Sequence, residues 1–161
     1  IDIGAELILA DELFLVIFPV EGSPKDGLIE LALAFAEDLI LAKGEFCRVH
    51  GVPRAIDIGI SAGDSLIGIM GPDGHRKATS LGEVPGRSRR LQSTGKLLRK
   101  SLADTDRVIF GRECLMRLRA PRDVSTYTLR ENEGVRDLDD REVFYLEPRP
   151  DDDERVKRRV A

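Results

Sequence analysis

The sequence predicts a single domain of the α+β class. Isoleucines alternate with polar or small residues from Ile56 to Ile60, which is the two-residue period of a β-strand with one buried face. The run from Leu28 to Gly51 carries apolar residues at helical spacing instead. With 161 residues, 42% of them hydrophobic, the chain is long enough to enclose one sizeable core.

The N-terminal part predicts a β-hairpin. Two short apolar runs, from Leu7 to Leu9 and from Leu13 to Phe18, stand on either side of Asp11. Asp11 is therefore expected at the hairpin tip. An aspartate in a turn commonly hydrogen-bonds to its own backbone, so this position alone does not indicate a metal site.

A long helix is expected after the loop that ends near Asp26, which is a plausible helix cap. Helical spacing indicates one apolar face for packing across a sheet. We expect that face to consist of Leu28, Leu31, Ala32, Phe35, Leu39 and Ile40.

The stretch from Ile56 to Gly71 predicts a second hairpin, in which strands near Ile58 and Ile67 flank the turn sequence AGDS. Its glycines remove side chains where strands bend or where another backbone or a ligand approaches closely. Taken alone, this pattern is satisfied by a purely structural hairpin.

The C-terminal third predicts three short strands and a short helix. The strands are RVIFG, STYTLRE and REVFYLE, and the helix is RECLMRL, between the first two. In the last strand Phe144 and Leu146 face one side, and Val143 and Tyr145 the other, which predicts one buried side. We assign residues 1–147 to the domain and residues 148–161, which are densely charged and contain proline, to a linker or disordered tail.

Composition excludes several classes of partner. A net charge of −4 and a pI near 5.3 give no electrostatic footprint for nucleic acid. No apolar run approaches the roughly 20 residues of a membrane helix, so no membrane contact is expected. Cys47 and Cys114 lie among apolar neighbours without zinc spacing, which predicts buried thiols in a reducing compartment, the cytoplasm.

Two motifs together resemble a known family. The hairpin reads GISAGDSLIGIMG, and the segment from Arg90 to Gly95, which we expect at a helix end, reads RLQSTG. Both strings, in this order and at this separation, are similar to the class III nucleotidyl cyclase homology domain, although Gln92 replaces the family's acidic residue. The resemblance implies a ferredoxin-like antiparallel or mixed sheet with helices on one face. Asp2 and Asp11 stand too close together for the family, which implies either that the first strand and helices are missing or that a segment between Ile3 and Leu7 is missing.

The resemblance implies an active site shared by two copies of the chain. Asp11, together with Asp2, is expected to hold two Mg²⁺ or Mn²⁺ ions. Thr79 falls where the family contacts the edge of the nucleobase, and Arg90 where it stabilises charge on the transferring phosphates. The implied partners are a nucleoside triphosphate and a second protomer in a homodimer.

Several positions depart from the family pattern. Leu7 replaces a base-selecting lysine, and Gly86 replaces an asparagine that orients the ribose. Pro85 is expected to interrupt the start of the following helix. Where the family has a phosphate-binding lysine, the chain has Asp139 or Asp140, although Arg136 or Arg141 would substitute if the loop is shifted.

Three functions are consistent with these observations. The first is an active cyclase with altered base choice, purine or pyrimidine. The second is a catalytically degenerate domain that binds nucleotide or dimerises and regulates a partner. The third is an unrelated ferredoxin-like binding module. An aspartate in a strand ahead of two helices, in a longer N-terminal sequence, would favour catalysis.

Overall fold

A computed structural model describes residues 6–10, 13–17, 27–51, 55–119, 122–129 and 142–147. The described elements are, in chain order, β1 (Glu6–Ala10), β2 (Leu13–Ile17), α1 (Leu28–His50), β3 (Asp57–Ile60), β4 (Leu66–Met70), β5 (Lys77–Leu81), α2 (Glu83–Ser101), β6 (Arg107–Phe110), α3 (Arg112–Leu115), β7 (Ser125–Thr128) and β8 (Glu142–Leu146). The predicted α+β class is confirmed.

The core is built on a mixed four-stranded sheet with the strand order β3-β6-β8-β7. Strand β3 runs parallel to β6, while β8 pairs antiparallel with both β6 and β7. A parallel pair needs a long crossover, and the chain from β4 to the end of α2 supplies it. All four residues of β6 are buried.

Helices cover both faces of this sheet, so the expectation of helices on one face is wrong. Successive strand residues point to opposite faces, and each face has its own apolar cluster. One cluster joins α1 to Val108, Phe110 and Phe144. The other joins α2 to Ile109, Val143 and Tyr145. Strand β8 therefore has two buried sides, where the sequence pattern predicted one.

Helix α1 has the predicted bounds to within one residue, but its predicted face is largely wrong. The buried residues are Ile29, Leu33, Ala36 and Ile40. Of the expected face only Ile40 is buried, and both Phe35 and Leu39 are exposed. The first half of the helix is apolar almost all around, so its spacing fits more than one face. Packing on the sheet selects among them.

Helix α2 begins earlier and ends later than the motifs suggested. Pro85 lies in its first turn, where a backbone N–H has no intrahelical acceptor, so the proline costs no hydrogen bond and does not interrupt the start. Gly95 is buried in the middle of the helix, which continues to Ser101. The expectation that the helix ends at RLQSTG is wrong.

The predicted strands of the central glycine-rich stretch exist, but their predicted pairing is wrong. Strand β3 belongs to the core sheet, and β4 pairs antiparallel with β5, which the pattern did not predict. By contrast, β1 and β2 form the predicted N-terminal hairpin, with Leu7 opposite Val16. The short helix and the three C-terminal strands are also confirmed.

Candidate functional site

The described part of the sequence-based site lies on two consecutive elements, β5 and α2. Thr79 is in β5, opposite Gly68 of β4. Arg90 is half-buried on α2, one turn beyond Gly86. Gly82 separates the two elements with a positive φ of 128°, a conformation that favours glycine. The fold therefore carries Thr79 and Arg90 on one continuous hairpin–helix unit.

Side-chain hydroxyls attach this unit to the core sheet and to the loop before β4. Ser61 donates to the carbonyl of Val84 at 2.7 Å, and Ser88 donates to the carbonyl of Gly59 at 2.8 Å. Ser65 donates to the carbonyl of Leu81 at 3.0 Å. These bonds hold the start of α2 and the base of the hairpin in a defined position.

Gly59 allows α2 to lie directly against β3. A Cβ at this position would overlap the carbonyl oxygen of Ser88 and would lie 2.5 Å from the backbone nitrogen of Gln92. The predicted close approach of another backbone is confirmed here. Because Gly59 faces the second helix, the polar and small face of β3 is covered, although its alternation indicated one buried face only.

The Gly86 position has room for a side chain. A Cβ added there meets no atom within 4 Å. Next to it, Arg87 forms an ion pair with Glu83 and lies 3.9 Å from Glu113. Packing therefore does not require glycine at position 86, and steric crowding at the Cβ does not explain why the chain lacks an asparagine there.

The predicted metal ligands Asp2 and Asp11 lie outside the described residues, as do Asp139 and Asp140 and the tail from residue 148. Within the described ranges, no group of three or more histidine, cysteine or acidic side chains is arranged to hold a metal ion. The Mg²⁺ or Mn²⁺ site therefore stays a prediction.

Sequence reasoning missed a buried charge cluster between β3, α2 and β6. The side chain of Asp57 is fully buried directly beneath Gly95, with Arg99 Nη2 2.5 Å from Asp57 Oδ2. Burial raises the pKa of Asp57, and this outweighs the opposing attraction of Arg99 and Arg107. In the alternating pattern of β3, Asp57 occupies a polar position that we expected to face solvent. Only Gly95 inside α2 indicated that a neighbouring side chain fills the space where a Cβ would lie.

Arg107 completes this cluster at the start of β6. Its buried guanidinium donates to Glu147 at 2.9 Å and to the carbonyl of Ala103 at 2.7 Å. The cation also lies 5.8 Å from the ring centre of Tyr145. These contacts join the end of α2 to β6 and β8, so we assign the cluster a structural role.

The two cysteines are free thiols in the described structure. Cys114 is buried, as predicted, and burial raises the pKa of its thiol to about 12. The thiol therefore stays protonated and points at the carbonyl of Ile60 at 3.7 Å. Cys47 is only half-buried. The prediction of a buried thiol is therefore wrong for Cys47, whereas the Cys114 thiol is a packed side chain and not a nucleophile.

Comparison with known proteins adds no family assignment. No family model, no curated protein and no solved structure matches the chain. The resemblance to cyclase homology domains stays a prediction that rests on the two motifs. Among the helices described here, none combines the length and the apolar character needed to cross a membrane.

Proposed function

We propose that this chain is a nucleotidyl cyclase homology domain of ferredoxin-like type that acts as a cytoplasmic homodimer. Its reaction converts a nucleoside triphosphate into a 3′,5′-cyclic nucleotide and pyrophosphate. The observation that supports this best is the unit formed by the β4–β5 hairpin and α2. It presents an exposed apolar arm, the β4–β5 hairpin, with Thr79 on the second strand of the arm and Arg90 on the helix that follows.

The arm supports dimerisation because a two-stranded hairpin is marginally stable by itself in water. Cross-strand partners share a face, which places Leu66 and Leu81 on one side and Ile69 on the other. Leu66 is 65% exposed and Ile69 is 74% exposed. Both sides of the arm therefore offer apolar surface for a second copy.

In the proposed reaction, the ribose 3′ hydroxyl attacks the α-phosphate and pyrophosphate leaves. Asp11 and Asp2 would hold Mg²⁺ or Mn²⁺, which lowers the pKa of the hydroxyl and neutralises phosphate charge. Thr79 would bind the edge of the base as donor or acceptor. Arg90, from the same protomer as Thr79, would stabilise the charge that develops on the phosphates.

A regulatory dimer is the second candidate, and Gly86 favours it. The position has space for the asparagine that the family uses to orient ribose, yet no side chain is present. Leu7 likewise lacks the charge of the base-selecting lysine. Such a domain would bind nucleotide, or only dimerise, and would regulate a partner without turnover.

The test is an assay with Mn²⁺ and each of the four common nucleoside triphosphates, which follows cyclic product and pyrophosphate. We expect turnover of at least one of them. Arg90→Ala should lower turnover on the order of 10²-fold with little change in nucleotide affinity. Arg89→Ala is the matched control, since Arg89 is an exposed neighbour on the same helix and should leave turnover unchanged.

Two further variants separate the candidates. Asp11→Asn should weaken Mn²⁺-dependent nucleotide binding severely, because it removes a carboxylate charge from the proposed metal site. Gly86→Asn should raise turnover relative to Gly86→Ala if the domain is a cyclase with a weakened ribose contact. Binding without turnover supports the regulatory candidate. A chain that neither binds nor converts any triphosphate contradicts the cyclase proposal and leaves a dimerising module.

A further inference from the structure

We draw no further inference here: the strongest candidate, the exposed basic patch that Arg89, Lys96 and Lys100 form on the face of α2 opposite its buried residues, carries none because nothing in the described part of the chain shows what covers it.

Discussion

Gly95 and Asp57 illustrate how one residue sets the environment of another. A Cβ at position 95 would overlap the Asp57 carboxylate, so glycine inside α2 is what allows an acid to be buried on β3. Glycine costs a helix interior about 1 kcal/mol relative to alanine. This glycine leaves the space in which Asp57 forms its ion pair with Arg99.

We predict opposite effects for alanine at two glycines of the same helix. Gly95→Ala should destabilise the protein by about 3 kcal/mol or more, because the new methyl group meets a buried carboxylate and the helix has to move. Gly86→Ala should stabilise it by about 0.5–1 kcal/mol, because its methyl group meets nothing. Urea unfolding measures both. A Gly95→Ala protein as stable as Gly86→Ala would show that Asp57 does not occupy this space.

The raised pKa of Asp57 predicts a pH dependence of stability with a defined sign. Since the native state binds this proton more tightly than the unfolded chain, the contribution of Asp57 to stability falls as pH rises from about 4 to its native pKa. The wild type should therefore gain stability relative to Asp57→Asn as pH is lowered through this range. Urea unfolding of both proteins between pH 4 and 7 checks the difference. A flat or reversed difference contradicts the prediction.

At the level of helices and strands, the local sequence pattern identified the elements, but it did not identify which strands pair with each other. Alternation and helical spacing identified α1, β3, β4 and the C-terminal strands, because these features depend on neighbouring residues only. The partners of β3 and β4 depend on contacts distant in sequence. Strand β5 has weak alternation and was missed, so β4 was paired with the nearest strand instead.

The same distinction applies to the candidate site. Arg90 lies within the RLQSTG motif and Thr79 was placed by the resemblance to the family pattern, so both were proposed from the sequence, and their roles stay predictions. The Asp57, Arg99 and Arg107 cluster is assembled from three elements and has no local signature. Gly59 carried a signal of close approach, yet the sequence alone did not show whether a ligand or α2 would fill the space.

Asp106 anchors α1 to the start of two strands, and we predict that its removal is costly. Its carboxylate accepts from Lys43 at 2.7 Å and from the backbone N–H of Ile56 at 2.8 Å. Asp106→Ala should cost about 2 kcal/mol, since both donors lie in partly buried surroundings and lose their acceptor. Asp104→Ala is the matched control. Asp104 is exposed and 3.8 Å from Arg99, so its change should stay within about 0.5 kcal/mol.

Thermal or urea unfolding of the two aspartate variants tests whether Asp106 holds α1 to the sheet. If Asp106→Ala and Asp104→Ala lose equally little stability, the Lys43 contact does not hold α1 to the sheet. Lys43→Met should then be neutral as well, whereas the prediction requires it to destabilise by leaving Asp106 with a single donor.

At the scale of the whole molecule, the β4–β5 arm presents exposed apolar side chains, among them Leu66 and Ile69. A core with helices on both faces leaves little of its central strands for a partner. Self-association is therefore expected through peripheral elements. The arm leads directly into the helix that carries Arg90, so it is well placed to link assembly to the active site that we propose.

Our last prediction concerns the arm. Ile69→Asp should weaken the proposed dimer by about 10-fold or more, because a charge would be buried in the centre of an apolar contact in both copies. Met116→Asp is the control, since Met116 is 78% exposed and lies just after α3, on a different element from the arm. Sedimentation gives the dissociation constants, and the triphosphate assay gives turnover on the same samples. If the arm completes the active site, turnover falls in proportion to the dimer fraction. Turnover that stays unchanged in a monomeric Ile69→Asp protein would show that one copy suffices for the chemistry.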